Sequence, residues 1–261
     1  MEVTIVDACL RDGAGGSPTA VLADEPFTED ERRAVPVRAG TSHAVFTDGD
    51  RLRFYTSEGE LPGCGHGTVA ALAVLPPAQR LRAGGRTFRV WTSRDGDVVT
   101  ASFDPGPVRV REATEEEREV VTATLGRSPL DVSVAALGRP RLLVTVDDRA
   151  TLAALRPDLD LLRDACARLD LLGCYVHTPP VTGGRLAARM FAPAIGVPED
   201  IANANSTACL AAHLAVRSGD AVEIAVDMGD ALGHPATVTA SADPQGVRVG
   251  GATRIARTVV L

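Results

Sequence analysis

The residues best equipped for chemistry sit at two turns rich in small residues. The first reads Gly63-Cys64-Gly65-His66-Gly67-Thr68 and runs into the apolar stretch Val69 to Leu75; the second reads Asn203-Ala204-Asn205-Ser206-Thr207 and runs into Ala208 to Leu214. Each has the pattern of a helix start. Backbone N–H groups there lack partners and together carry about half a positive charge, which suits a carboxylate or a developing enolate. Gly63, Gly65, Gly67 and Ala204 leave room for a ligand to approach that backbone closely. Around the turns lie groups able to move protons: Cys64 and His66 in the first, Asp200 just upstream of the second, and His43 on the strand before the first. A thiol at a helix N-terminus has a lowered pKa and can serve as a base. Proton abstraction next to a carbonyl is the reaction class this set points to. His43, Cys64, His66 and Asp200 are therefore the expected catalytic groups, and Gly65, Gly67, Thr68, Asn203, Asn205 and Ser206 the expected substrate contacts.

Positioning these turns requires a scaffold, and the chain outlines one. Stretches rich in Val, Ile, Thr and Phe recur, among them 3–8, 43–47, 52–56, 86–92, 98–103, 141–146, 186–191, 222–226 and 236–240, separated by turn residues such as Asp48-Gly49-Asp50 and Asp95-Gly96. That pattern predicts a strand-dominated fold with hairpins. Helices are announced by caps: Thr28 with Glu31 and Thr114 with Glu117 fit the Ser/Thr-x-x-Glu box, the second helix closing at Gly126. A shift of 139 residues (203 − 64) lays the first small-residue turn over the second, with Thr68, Ala73 and Leu75 matching Thr207, Ala212 and Leu214. Each copy follows a strand with an arginine and an aromatic, Arg53-Phe54-Tyr55 and Arg189-Met190-Phe191. The expected class is α+β: two similar lobes, each a barrel-like sheet wrapped around one apolar helix, over 1–112 and 113–255, with a last strand at 256–261 returning to the first lobe.

Composition removes several alternatives. All 27 basic residues of the 261 are arginine. Without lysine there is no Schiff base, no pyridoxal-phosphate anchor and no P-loop lysine. A net charge of −7 offers no footprint for nucleic acid. No apolar run approaches the ~20 residues needed to cross a bilayer, and the N-terminus lacks the pattern of a signal peptide, so no membrane partner and a cytoplasmic location are expected. Five cysteines without a C-x-x-C pair argue against a disulfide framework; Cys166 and Cys209 lie on apolar helix faces and read as core. Cys64-x-His66 lacks a second Cys/His pair at ligand spacing, so no metal is expected. His177 and His213 read as structural histidines, and His234 stays open. The turn Gly13 to Gly16 leads into another strand rather than a helix, against a dinucleotide fingerprint, and no G-x-S-x-G is present.

An ordered series of short motifs carries a resemblance along nearly the whole chain: Val6-Asp7-Ala8, Gly16-Ser17-Pro18-Thr19-Ala20-Val21, Ser42-His43-Ala44-Val45-Phe46, Leu52-Arg53-Phe54-Tyr55-Thr56, Glu60-Leu61-Pro62, Gly65-His66-Gly67-Thr68, Phe191-Ala192-Pro193, Gly196-Val197-Pro198-Glu199-Asp200 and Val247-Arg248-Val249-Gly250-Gly251. The sequence resembles the PhzF-like, phenazine-biosynthesis branch of the diaminopimelate epimerase and proline racemase superfamily. That resemblance implies the diaminopimelate epimerase-like fold, an active site between two lobes, commonly a homodimer, and no cofactor or metal. It implies proton shifts on small unsaturated or α-acidic carboxylic acids, and specialised metabolism, including the alkylproline units of some antibiotics. In the family's Ser-Glu-Thr-like stretch a glutamate is the acid/base, and here His43 stands in its place. The supporting histidine carries over to His66, the aspartate to Asp200, and the serine of the second turn to Asn205. Of the two cysteines of the racemase branches, the first maps to Cys64 and the second to Asn203. An imidazole with an ordinary pKa of about 6.5 can both take and return a proton near neutrality. The expected reaction is double-bond isomerisation with His43 as base. The alternatives are amino-acid epimerisation by Cys64 with His43 opposite, and a ligand-binding relative without catalysis.

Overall fold

The computed structural model describes residues 1–261. The chain begins with antiparallel strands β1 (Glu2–Leu10) and β2 (Ser17–Ala23), followed by helix α1 (Glu29–Ala39) and the strands β3 (His43–Asp48), β4 (Arg51–Thr56) and β5 (Gly59–Leu61). Helix α2 (Gly65–Val74) comes next, then β6 (Arg80–Ala83), β7 (Arg86–Asp95) and β8 (Val98–Phe103). After these come β9 (Arg109–Glu112), α3 (Glu115–Leu125), β10 (Asp131–Leu137), β11 (Arg139–Thr145), α4 (Arg149–Ala154) and α5 (Leu159–Arg168). The last stretch holds β12 (Cys174–His177), β13 (Arg185–Ala192), β14 (Val197–Asp200), α6 (Ala204–Ser218), β15 (Val222–Met228), β16 (Ala236–Asp243) and β17 (Gly246–Val260).

Strand pairing produces two curled sheets. The first closes on itself in the order β1-β2-β3-β4-β6-β7-β8-β17 and back to β1, the β4–β6 seam being a single bridge between Arg51 and Arg82. The second runs β9-β10-β11-β12-β13-β15-β16-β17 and stays open at β9. The strand β17 belongs to both: residues 246–250 pair with β16, and Ala252 to Val260 pair with β1. It runs for 15 residues without interruption. Gly250 and Gly251 explain the join, since a Cβ at Gly250 would stand 2.0 Å from the carbonyl oxygen of Ala101.

One helix sits inside each curl. In α2 every residue from Gly65 to Ala73 is buried, and in α6 every residue from Ser206 to His213. A helix apolar on all sides must be surrounded, and small residues let sheet backbone pack close. One continuous apolar core includes α2, α6 and the inner faces of both sheets. The remaining helices cover outer faces: α1 packs on β2 and β3 through Val35, Ala44 and Phe46, while α3, α4 and α5 cover β10 to β13. Both expected capping boxes form, Glu31 N donating to Thr28 Oγ1 at 3.2 Å and Glu117 N to Thr114 Oγ1 at 3.2 Å, and both helices end on a left-handed glycine, Gly40 and Gly126. Cys166 and Cys209 are buried, as read from their faces. No helix is long and apolar enough to cross a membrane.

The duplication seen in the sequence is repeated in bonding. In both copies an arginine clasps a glutamate on the short strand that follows: Arg53 Nε and Nη2 donate to Glu60 at 2.9 and 2.6 Å, and Arg189 Nε and Nη2 donate to Glu199, both at 2.8 Å. A threonine then braces each helix start, Thr68 Oγ1 donating to the carbonyl of Cys64 at 2.8 Å and Thr207 Oγ1 to that of Asn203 at 3.0 Å. The stretches between these arginine-bearing strands and the helix starts thus contain the strands β5 and β14, each paired back on the strand before it.

Candidate active site

The starts of α2 and α6 meet. A Cβ at Gly65 would lie 2.6 Å from the Ala204 Cβ and 3.0 Å from the Asn205 backbone nitrogen, so only glycine lets the two helix tips come this close. Beside them opens a cleft of about 310 Å³ between the two curled sheets. Neither helix carries an acidic residue in its first turn, whereas α1 and α3 carry three each. Two partly positive helix ends are therefore left uncompensated at the cleft.

His43 opens β3 on the same face as Val45, which packs against α2, so the strand's two-residue period turns the imidazole inward. Its ring stands edge-on to that of His66, centroids 4.4 Å apart, and its Nδ1 is 2.9 Å from Ser42 Oγ. His66 Nδ1 lies 3.9 Å from Asp200 Oδ2, and its Nε2 lies 3.6 Å from Cys64 Sγ. Asp200, the last residue of β14, accepts from Asn203 Nδ2 at 2.9 Å through Oδ2, while its Oδ1 is buried and has no hydrogen-bond partner. Asn203 also caps α6, its Oδ1 accepting from Ser206 N at 2.9 Å. One side chain thus fixes both the helix start and the carboxylate.

Burial decides the charges. His43 is 3% exposed, and desolvation, with His66 adding to it, holds its pKa well below 6.5. The expectation that His43 has both protonation forms at hand near neutrality is corrected: it rests neutral, an acceptor. For His66, burial opposes the charge, but Cys64 and Asp200 beside it, with the carbonyl of Ala202, outweigh burial and push its pKa up to about 9. For Asp200, burial raises the pKa above 3.8 against the lowering influence of His66 and Asn203. A neutral base, a charged intermediary and a buried carboxyl group form one chain.

The cleft is lined by His43, Cys64, Gly65, His66, Thr68, Asp200, Asn203 and Asn205 among the expected residues. Gly67 and Ser206, expected as contacts, stand behind the wall. A Cβ at Gly67 would press within 3.1 Å of Cys64 Sγ, Phe54 and Val45, and Ser206 is fully buried with its Oγ accepting from Arg141. His177 is a satisfied structural histidine, held by Thr145 and the carbonyl of Thr178, and His213 is buried on α6. His234 lies exposed in a loop. Sequence reading missed Arg86, Asp104, Arg139 and Arg141, which also line the cleft. For Arg141 a signal existed: it shares a strand face with the inward Leu143, a place where a charge needs a reason.

Ligand atoms of His43, Cys64 and His66 lie within 4.8 Å of one another, so these three are the residues that could hold a metal ion. As it stands the set can accept, relay and return a proton beside a carboxylate-sized anion.

Residues 6–258 match the family described as phenazine biosynthesis-like protein. The chain is 32% identical over 265 residues to the trans-2,3-dihydro-3-hydroxyanthranilate isomerase of Pseudomonas aeruginosa, covering 94% of this chain and 91% of that one. It is 30% identical to the isomerase of the same description from Pseudomonas fluorescens, covering 92% and 89%. Among solved structures, a predicted epimerase from Pseudomonas aeruginosa superposes with a TM-score of 0.84 at 22% identity, over 100% of this chain and 98% of that one. A PhzF-family phenazine biosynthesis protein from Bacillus anthracis superposes with a TM-score of 0.80 at 16% identity, over 100% and 99%.

Proposed function

This chain belongs to the phenazine biosynthesis-like protein family, and from that premise we propose that it is a cofactor-independent isomerase that moves a proton, and with it a double bond, on a small unsaturated carboxylic acid. The observation that carries the reading is the contact chain His43, His66, Asp200 at the meeting point of two helix starts. The activity of relatives at 32% and 30% identity over nearly the full chain is isomerisation of a dihydro-hydroxyanthranilate, an acid of this class.

The substrate carboxylate sits at the helix tips, where the unpaired N–H groups also stabilise charge spreading from the adjacent carbon as the proton leaves. Neutral His43 takes that proton through the ring nitrogen not bound to Ser42. The buried imidazolium so formed is unfavourable, which drives the proton onward. Asp200, a buried carboxylate beside cationic His66 with its Oδ1 unpartnered, takes up the His66 proton and delivers it at the far end of the conjugated system. His66, cationic at neutral pH between the two, is refilled by the proton on His43 once it has given up its own, so all three groups return to their starting forms. Cys64 borders His66 at 3.6 Å and helps to hold its charge. A homodimer and a place in specialised metabolism, antibiotic biosynthesis among them, belong to the same reading.

Incubation of trans-2,3-dihydro-3-hydroxyanthranilate and related dienyl or enamine acids in D2O, followed by NMR, tests the chemistry. The expected result is deuterium entering the substrate as the double bond moves, at a rate reduced about 10²–10⁴-fold in His43→Ala. Equal exchange in wild type and His43→Ala removes His43 from this role. Exchange at one stereocentre with no movement of the double bond selects epimerisation by Cys64 and His43 instead.

A further inference from the structure

We propose that Arg141 is the counter-charge for the substrate's carboxylate, holding it against the first turn of α6. The proposal deepens the isomerase reading by assigning a specificity residue to that same cleft. Three arginines are buried: Arg32, Arg141 and Arg189. Arg32 has Asp24 and Arg189 has Glu199 as carboxylate partners. Arg141, the most buried at 2% exposed, has none, and it alone of the three lines the cleft. A buried guanidinium without an anion is an unfavourable arrangement that a bound carboxylate relieves.

Its hydrogen bonds leave capacity for that ligand. Nη1 donates to Ser206 Oγ at 3.2 Å, and Nη2 donates to the carbonyls of Leu137 at 2.9 Å and Arg139 at 3.0 Å. Those three bonds use three of the five N–H donors of a guanidinium. Nε is buried with no partner. The bond to Ser206 sets the side chain beside the start of α6, so a full positive charge and a partly positive helix end lie together with no acid in the helix's first turn. Asp200 does not neutralise it, being engaged with Asn203 and facing His66. Arg139, also at the cleft, already faces Asp170 at 3.2 Å.

Anthranilate and anthranilamide form the test pair, since they share size and shape and differ in the charge of one group. Calorimetric titration of the wild type is expected to show at least tenfold tighter binding of anthranilate, with the preference lost in Arg141→Met and partly kept in Arg141→Lys. In wild-type protein, where folding of a variant is not at issue, the Arg141 Nε–H resonance is expected to shift with anthranilate and not with anthranilamide. No preference for the acid in wild type, including failure of both to bind, overturns the proposal; so does a preference unchanged in folded Arg141→Met, or an Nε–H resonance that ignores the acid. Loss of isomerisation in D2O with the preference intact would sink the isomerase reading and leave this one standing, as a carboxylate-binding protein.

Discussion

At the scale of single residues, burial and neighbours pull three ordinary pKa values apart in the cleft. His43 is held neutral and His66 charged, so kcat/KM should be flat through neutral pH. Protonation of His43 should lower it on the acid side, with the inflection below 6.5, and loss of the His66 proton should lower it on the alkaline side near 9. A pH–rate profile with its acid inflection above 6.5 would contradict the assignment of His43 as the neutral base. Asp200→Asn removes the carboxyl yet leaves an amide able to meet Asn203. The variant should therefore stay folded by circular dichroism while turnover falls about 10²-fold or more.

At the scale of elements, the critical feature is the approach of α2 to α6, which glycine at position 65 permits. Gly65→Ala forces a methyl against Ala204, and overpacking of this kind costs about 1–3 kcal/mol. The expected outcome is a lower Tm together with a raised KM, since the helix tips proposed to bind the substrate carboxylate are the groups displaced. A cap far from the site gives the contrast. Thr114→Ala removes the oxygen that accepts from Glu117 N, at a cost of about 1 kcal/mol. Its Tm should fall with KM unchanged.

At the scale of the whole molecule, β17 ties the two curled sheets into one unit by pairing with β16, β8 and β1. Gly250 is the residue where the join is tightest. Gly250→Ala meets the Ala101 carbonyl and part of the Ser102 backbone rather than a flexible side chain, so the strand itself must shift. A loss of about 1–3 kcal/mol would lower Tm by several degrees in a chain of this size. Because the strand serves both sheets, unfolding of wild type should remain a single transition by calorimetry, and separate transitions of the two sheets would show that β17 does not couple them.

The sequence by itself determined whatever is encoded within a few neighbouring residues. Capping boxes at Thr28 and Thr114, the two small-residue turns, the Thr68 and Thr207 correspondence and the alternation that turns His43 inward are all local signals, and local geometry enforces them. Tertiary structure decided what depends on distant partners. Strands β5, β6, β9 and β14 are too short to have a pattern of their own and exist because longer strands pair with them. Gly67 and Ser206 share the turns of true cleft residues yet point into the core, because a helix start presents only part of its circumference to the cleft. Charge was beyond the sequence for the same reason: an imidazole in the chain has a pKa of about 6.5, and only the surroundings assembled from β3, α2 and β14 make one histidine neutral and its neighbour a cation. Arg141 comes from a strand 65 residues before the serine it holds, and nothing nearer in the chain reveals that it lacks an anion.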